Sequence, residues 1–323
     1  MAANDVQTDL TVIIPIFNEE QTLPELRNRL LRVLDEQECS AEVIFVNDGS
    51  SDASGELLAE FAGEDARIKV VDLSRNFGHQ SAISAGLTKA SGRAVVLMDG
   101  DLQDPPEVIP ALMNRWREGY EVVHAVRTKR KEGILRRAVY AAYYRLFSWM
   151  AYIPVTLDSG DFSLMDCRVA DLLKAMPESN KYLRGLRSWV GFRQTTVVYE
   201  REARYAGSSK YSWLSLIRLG LDGMISYSYL PLRLCYLLGF LVAGGSFILA
   251  LVYFVGRLVT DGVVPRGFTT LAILILFLGG VQLLALGLLG EYVGRIYDEV
   301  KRRPAFIIRR TVGFGSGDER GAP

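Results

Sequence analysis

The sequence contains little cysteine. Its 323 residues include three cysteines, Cys39, Cys167 and Cys235. They are far apart and form no CxxC pair, so we expect neither a disulfide framework nor a zinc site. A reducing compartment fits this composition.

Neither sign of charge is in excess, because Lys plus Arg and Asp plus Glu number 37 each. This balance argues against a nucleic-acid-binding protein, which is usually strongly basic. The first residues, MAANDVQTDL, are polar and acidic. They lack a basic segment followed by an apolar one, so we expect no cleaved signal peptide.

Two common nucleotide-binding motifs are missing. No GxGxxG follows the first apolar run, and no GxxxxGK[ST] occurs in the chain. A nicotinamide-cofactor enzyme and a P-loop enzyme therefore lose their main support. One G-x-G, Gly313-Phe314-Gly315, lies in the terminal tail, which we expect to be disordered.

The first 130 residues alternate between two patterns. Val- and Ile-rich runs predict strands, and the stretches between them predict helices. The strands are predicted at 10–17, 41–48, 68–74, 94–101 and 121–127, and the helices at 19–37, 52–62, 79–91 and 106–118. This alternation predicts an α/β domain whose mostly parallel sheet has helices on both faces. Ligands of such sheets bind at the carboxyl ends of the strands.

Two long runs, 234–256 and 268–290, carry no formal charge. Each exceeds the roughly 20 residues that a transmembrane helix needs, although a pair of buried core helices is the alternative. The short connector predicts a hairpin with both chain ends on one side of the membrane. The basic segment after it favours a cytoplasmic location for the N-terminal part and the tail.

Two further stretches, 134–153 and 211–230, combine aromatic, apolar and basic residues. They suit helices in the membrane interface, with amphipathic core helices as the alternative. The predicted organisation is therefore a cytoplasmic α/β domain, a membrane hairpin and a basic cytoplasmic tail. The domain covers 1–229 with interfacial helices at about 134–153 and 211–229, the hairpin 230–300, and the tail 301–323.

The stretch VLMDGDLQDPP crowds acids where a predicted strand ends. Asp104 with the following prolines and glutamate resembles the start of a helix, so we assign Asp104 mainly to capping. Asp99 and Asp101 point to the same side of an extended chain and would repel each other. Mg²⁺ or Mn²⁺ bound by these carboxylates and a substrate diphosphate would relieve that repulsion. Gly100 would let the ligand approach the backbone, and Gln103 could add a carbonyl oxygen.

Two other strand ends carry acids. Asp48 precedes a Gly-Ser turn. The turn and the cap of the next helix are one explanation for this stretch, but both functions can coexist, with Asp48 binding a ligand and Asp52 capping the helix. Glu19 follows the first strand, where it could bind a ligand or complement the helix dipole.

Together these motifs resemble family 2 glycosyltransferases with the Rossmann-like GT-A fold, and the resemblance covers nearly the whole chain. The subgroup most similar transfers sugars to polyprenyl phosphates, as in bacterial undecaprenyl-phosphate glucosyltransferases and dolichyl-phosphate mannose synthases. The motifs are IPIFNE at 14–19, NDGSSD at 47–52, DGDLQDPP at 99–106, GDFSL at 160–164, GSSKY at 207–211 and GLLGEYVGRIY at 287–297.

The resemblance implies roles for individual residues. Nucleotide-sugar binding would fall to Pro15, Phe17, Glu19, Asp48, Asp99, Gly100, Asp101, Gln103, Arg204 and Lys210. Asp99, Asp101 and Gln103 would hold the metal, and Arg127 and Arg137 would bind the acceptor phosphate. Asp101, Asp161 and Arg127 would be catalytic, with Asp161 a general base or an orienting residue. Asp161 could instead be a turn acid, and Arg127 a surface residue.

The expected reaction transfers a hexose from a nucleotide sugar to undecaprenyl or dolichyl phosphate and inverts the anomeric configuration. UDP-glucose is the donor that we expect first. GDP-mannose and an aminoarabinose donor are the alternatives. The GDF segment at 160–162 differs from the GFR-like form common in mannose synthases, and this difference disfavours mannose. An inert membrane scaffold with the same fold is the alternative that is not an enzyme. The resemblance also implies a homo-oligomer, a tetramer, in the inner membrane.

Overall fold

The computed structural model describes residues 8–127, 159–178, 181–200 and 268–314, with scattered helical positions between 232 and 255. The chain divides into two compact units. The first consists of Met1–Tyr144, Ile153–Lys210 and Arg303–Pro323, and the second of Arg145–Tyr152 and Tyr211–Arg302.

The first unit is a single mixed sheet with helices. The strands are β1 (Leu10–Ile16), β2 (Ala41–Asn47), β3 (Ile68–Leu73), β4 (Ala94–Leu97), β5 (Val122–Arg127), β6 (Ser159–Asp166), β7 (Gln194–Tyr199) and β8 (Ile308–Val312). The helices are α1 (Leu23–Asp35), α2 (Ser54–Glu64), α3 (His79–Lys89), α4 (Ile109–Arg117), α5 (Cys167–Ala175) and α6 (Leu183–Trp189), with a 3₁₀ turn at Pro106–Val108. The strand order is β7-β5-β6-β4-β1-β2-β3-β8.

The predicted α/β half is confirmed. Strands β3, β2, β1 and β4 are parallel neighbours, as the alternation of strand and helix required. Nearly every residue of β1, β2 and β4 is buried, because helices cover both faces of the sheet. The fourth strand ends at Leu97 rather than at 101, so Asp99 and Asp101 lie beyond it in a loop.

The other half of the sheet departs from the parallel pattern. Strand β6 lies between β4 and β5 and runs antiparallel to both. Strand β7 then pairs parallel with β5 and forms one edge. The sheet is therefore mixed on this side, and a segment far along the chain lies beside the end of β4.

The terminal tail is part of this sheet, which corrects its prediction as a separate, disordered segment. Strand β8 pairs antiparallel with β3 at the other edge. Phe306 and Phe314 pack against the apolar core on one face, and Lys69 Nζ lies 5.2 Å from the Phe314 ring centroid. The partial burial of these aromatic side chains stabilises the packing of residues 306–314 against the sheet.

The second unit contains the helix α7 (Phe268–Val300). Within it, Phe277–Val300 is long and apolar enough to span a membrane, with a mean hydropathy of 1.4 over its most apolar window and none of that window buried. This helix agrees with the second predicted span and extends beyond it to Val300. The first predicted span, 234–256, is described only at scattered positions, and the predicted interfacial helices, 134–153 and 211–229, lie outside the described residues.

A buried carboxylate lies near the amino end of the central strands. Glu42 accepts hydrogen bonds from Lys69 Nζ at 2.5 Å, from Thr11 Oγ1 at 2.5 Å and from the Ser91 backbone at 2.9 Å. Burial alone would raise the pKa of Glu42, but these hydrogen bonds outweigh burial and lower it below 4.5. The ionised carboxylate thus links β1, β2, β3 and the turn before β4.

We expect Glu42→Gln to lower the free energy of unfolding by roughly 1–3 kcal/mol, because a charged group loses buried hydrogen bonds. The folded-state pKa is lowered, so this contribution is complete above the ordinary value of 4.5 and disappears as the pH falls through the lower folded value. Urea unfolding followed by circular dichroism at several pH values measures both effects. The exposed Glu60→Gln is the matched control, and an equal loss in the two variants would contradict the assignment.

Candidate active site

The antiparallel pairing of β4 with β6 brings two acids together at the carboxyl edge of the sheet. Leu97 is the register partner of Ser163, and continuing that register places Asp99 opposite Asp161. The side chain of Asp161 is only 4% exposed, whereas that of Asp99 is 27% exposed. A site with one enclosed acid and one accessible acid results.

The Asp161 carboxylate is held by cationic partners. Arg184 donates from Nε to Oδ1 at 2.8 Å and from Nη2 to Oδ2 at 2.7 Å, a bidentate pair. His79 Nε2 lies 3.2 Å from Oδ2. Burial alone would raise the pKa of Asp161, but Arg184 and His79 outweigh burial and hold this pKa well below its ordinary value of 3.8. Asp161 is therefore an anion at every physiological pH.

The backbone beside Asp161 is fixed by a second arginine of the helix Leu183–Trp189. Arg187 is fully buried and donates to the carbonyl oxygens of Asp161 at 2.9 Å and of Gly160 at 3.0 Å. The side-chain oxygen of Gln80 accepts from the Leu183 backbone at 3.1 Å and ties this helix to α3. The orientation of Asp161 thus depends on both its side chain and its main chain.

Asp99 has the properties of a metal-binding carboxylate. Its buried Oδ1 has no hydrogen-bond partner among the described residues, and His79 Nε2 lies 3.5 Å away. Burial raises the pKa of Asp99 to about 6, and the acids Asp161, Asp104 and Asp101 add to this effect. A divalent cation would relieve the crowding of negative charge, so the residues present fit such an ion.

The loop after β4 is sharply turned. Leu102 has a φ of +57°, and Asp101 Oδ1 accepts from the Gln103 backbone at 3.1 Å. A Cβ on Gly100 would lie 2.5 Å from Ile16 Cδ1 and 3.3 Å from the Pro15 carbonyl oxygen. The structure therefore gives Gly100 a packing role against the end of β1, and its predicted contact with a ligand stays a prediction.

Asp104 does not occupy the helix-cap position that the sequence suggested. Pro105 is the N-cap of the Pro106–Val108 turn, and Asp104 is fully buried. Tyr199 Oη donates to Asp104 Oδ1, and Arg127 Nη2 lies 3.6 Å from the same oxygen. Because Pro105 takes the cap position, the Asp104 side chain points inward. There it contacts Arg127 and Tyr199 and stabilises the end of β5 instead of the helix.

Arg127 is positioned by this cluster. Its Nε donates to Tyr199 Oη at 3.2 Å, and a Cβ on Gly160 would lie 3.1 Å from its Nη2. The guanidinium thus lies against the residue that precedes Asp161, and its side chain is 25% exposed. Its predicted contact with an acceptor phosphate is not tested by this arrangement, but the cation does lie at the same edge as Asp99.

The residues predicted to bind the nucleotide sugar at the ends of β1 and β2 differ in exposure and in hydrogen-bond partners. Phe17 is 44% exposed, as a residue that stacks on a base would be. Asp48 is buried and accepts from the backbone of Phe77 at 2.7 Å and of Gly78 at 2.9 Å, just before His79. Glu19 Oε2 accepts from Thr22 Oγ1 at 2.9 Å. The nucleotide contacts assigned to these residues, and to Pro15, stay predictions.

Three predicted residues, Arg137, Arg204 and Lys210, lie outside the described residues. The sequence interpretation in turn missed His79, Arg184, Arg187 and Tyr199. Arg184 and Arg187 occur three residues apart in a short helix, a spacing that places both on one face, and this was the available signal. No such signal marked His79 or Tyr199, because nothing in their local sequence predicts contact with an acid that is distant in the chain.

Solved structures match this chain at low similarity. The glucosyl-3-phosphoglycerate synthase of Mycobacterium tuberculosis, in complex with Mn²⁺, UDP-glucose and glycerol 3-phosphate, is 20% identical with a TM-score of 0.47. That likeness covers 68% of this chain and 78% of the synthase.

Curated relatives match over nearly the whole length. A Bacillus subtilis protein named uncharacterized glycosyltransferase YkcC is 45% identical over 94% of both chains. A Shigella flexneri protein named SfII prophage-derived bactoprenol glucosyl transferase is 39% identical over 94% of this chain and 98% of its own.

Sequence profiles cover both units. The profile described as a GtrB C-terminal hairpin matches residues 230–296, where the sequence predicted a membrane hairpin. The profile of glycosyl transferase family 2 matches residues 11–172, which include both Asp99 and Asp161. With the long relatives above, this match assigns the chain to glycosyl transferase family 2.

Proposed function

We propose that this enzyme transfers glucose from UDP-glucose to a polyprenyl phosphate and inverts the anomeric configuration. The observation that carries the proposal is the 39% identity, over 94% of the chain, to a protein named bactoprenol glucosyl transferase. The site supports it, because the accessible acid Asp99 and the partly exposed cation Arg127 lie at the same carboxyl edge of the sheet.

The acceptor phosphate attacks the anomeric carbon in line, and UDP leaves. A phosphate monoester has a second pKa of about 6, so the acceptor is largely dianionic at neutral pH and needs little help from a base. This matters because Asp161, with its lowered pKa, is a weak proton acceptor. We assign Asp161 the orienting role: it holds the Arg184 cation and the His79 side chain in place, and Arg127 binds the acceptor phosphate.

Asp99 and Asp101 would hold Mg²⁺ or Mn²⁺, with Gln103 as a further oxygen ligand. When bound, the ion neutralises the diphosphate leaving group. Among the described residues, no cluster of at least three acids, histidines or cysteines could hold a metal by itself. This agrees with an ion shared between one or two carboxylates and the substrate phosphates.

The hairpin profile and the apolar helix associate the protein with a membrane, where a lipid acceptor is found. We place the catalytic unit and both termini on the cytoplasmic side of the inner membrane, because the segment after the hairpin is rich in arginine and lysine. We also propose a homo-oligomer, a tetramer, from the family resemblance.

A panel of donors tests the function. The full chain, purified in detergent, is offered UDP-glucose, GDP-mannose or a UDP-aminoarabinose donor with undecaprenyl phosphate and Mn²⁺ or Mg²⁺. We expect lipid-linked glucose from UDP-glucose alone. Transfer to a sugar hydroxyl but not to the lipid phosphate would contradict the acceptor, and no transfer from any donor would favour an inert scaffold.

Asp101→Asn tests the metal assignment. It keeps the size of the side chain and removes the charge, so we expect transfer to fall by roughly 100-fold or more, as for other groups that stabilise a leaving group. The concentration of Mn²⁺ that gives half-maximal rate should rise as well. Asp171→Asn, an exposed acid of the helix Cys167–Ala175, is the control. Full activity of Asp101→Asn without added metal would contradict the assignment.

Asp161→Asn separates an orienting residue from a general base. Because the pKa of Asp161 is held well below 3.8, its charge is constant at neutral pH. We therefore expect kcat to fall by the same factor at every pH between about 6 and about 9. Asp166→Asn, at the other end of the same strand, should leave the rate unchanged. A wild-type acid limb that disappears in Asp161→Asn would instead identify Asp161 as the base.

A further inference from the structure

The tail strand meets the catalytic sheet at an acidic side chain. Arg310 of β8 is the register partner of Asp72, near the carboxyl end of β3. Its Nε donates to Asp72 Oδ2 at 2.5 Å. The Asp72 side chain is only 7% exposed, whereas that of Arg310 is 56% exposed. The arginine therefore neutralises an acid that is largely removed from water.

Asp72 in turn holds the turn after β2. Its Oδ1 accepts from Asn47 Nδ2 at 2.9 Å, and Asn47 Oδ1 accepts from the Ser50 backbone at 3.0 Å. In the same turn, Gly49 has a φ of +68°, and a Cβ there would lie 2.5 Å from the Arg75 carbonyl carbon. The turn is thus fixed by hydrogen bonds on one side and close backbone packing on the other.

The same turn fixes the loop after β1. Ser50 Oγ accepts from the Asn18 backbone at 3.0 Å, and Asn18 Oδ1 accepts from the Ser51 backbone at 2.8 Å. Asn18 has a φ of +56°, an uncommon conformation that such contacts stabilise. Its sequence neighbours are Phe17 and Glu19, two of the residues expected to flank the nucleotide.

From this chain of contacts we infer that Arg310 is a positioning residue for the nucleotide-sugar donor. Through Asp72, Asn47 and Ser50, the segment after the membrane hairpin orients the loop after β1, which is expected to flank the nucleotide. Arg310 itself need not touch the donor. The inference rests on the proposed function, since the loop matters only if a nucleotide binds there. It predicts an effect on donor binding and not on the acceptor.

The two partners of the Arg310–Asp72 ion pair are not equivalent, because only the acid is buried. Removing Arg310 leaves Asp72 buried with its charge uncompensated, whereas Asp72→Asn removes that charge and keeps a side chain able to contact Asn47. The two changes should therefore be strongly non-additive, as expected for partners in one network. A strand that merely covers the sheet edge would not link these two side chains to the affinity for the donor.

The experiment uses the full chain in detergent, with donor and acceptor varied separately. We expect Arg310→Gln to raise KM for UDP-glucose by roughly 3- to 10-fold, the effect of losing a hydrogen bond between charged groups. The acceptor KM and kcat should stay within about twofold of wild type. Arg310→Lys should recover part of the loss, and Arg303→Gln, an exposed change in the same tail, should have no effect.

Binding of UDP in the presence of Mn²⁺, measured by calorimetry, gives a readout independent of the acceptor. UDP affinity should fall with Arg310→Gln and should fall no further when Asp72→Asn is added. This double variant also guards against misfolding, because it carries no uncompensated acid. Unchanged UDP affinity in folded Arg310→Gln, or additive losses in the double variant, would overturn the inference. A wild type that binds UDP but transfers nothing to polyprenyl phosphate would overturn the proposed function instead.

Discussion

The active edge of the sheet is organised around one buried charge, the carboxylate of Asp161. An ionised acid with 4% of its side chain exposed is costly unless cations and hydrogen bonds replace the lost water. Arg184 and His79 supply that replacement, and both come from helices that must pack on the correct side of the sheet. Meeting this requirement fixes the start of α3, the helix Leu183–Trp189 and the position of β6. The geometry at this edge of the sheet is therefore partly a consequence of neutralising a single acid.

This constraint also explains how the site can bring two anionic substrates together. A nucleotide sugar and a lipid phosphate repel each other, and an acid next to them adds to the repulsion unless its charge is already compensated. Because Arg184 pairs bidentately with Asp161, that acid contributes little net negative field, while Asp99 keeps an oxygen without a hydrogen-bond partner. The two acids thus differ in role because their neighbours differ: one anchors cations, and the other is available to a divalent ion.

The sequence predicted the strands β1 to β5 and the C-terminal hairpin, but it did not predict the strands β6, β7 and β8. Strands β1 to β4 are mostly apolar runs rich in Val and Ile, and helical stretches separate them, so the local pattern was sufficient. Strand β6, SGDFSLMD, mixes polar and apolar residues, and its place between β4 and β5 depends on pairing with segments far along the chain. Asp99 and Asp101 could be proposed from their spacing at a strand end, whereas Asp104 was misassigned because its partners, Arg127 and Tyr199, are 23 and 95 residues away. The tail was misassigned for the same reason, since β8 acquires its partner only from β3.

Pairing of a buried acid with an arginine recurs along the carboxyl edge of the sheet. Asp161 is compensated by Arg184, Asp104 by Arg127 and Asp72 by Arg310, and in each pair the arginine lies later in the chain than the acid. These buried acids therefore depend on arginines from later segments of the chain for charge compensation. The last of these arginines follows the hairpin in the sequence, so the catalytic unit is complete only when the polypeptide has passed through both predicted spans. A family 2 catalytic sheet cut off before the hairpin would lose its edge strand and leave Asp72 without Arg310. The ion pair between Asp72 and Arg310 thus ties the segment that follows the hairpin in the sequence to the sheet of the first unit.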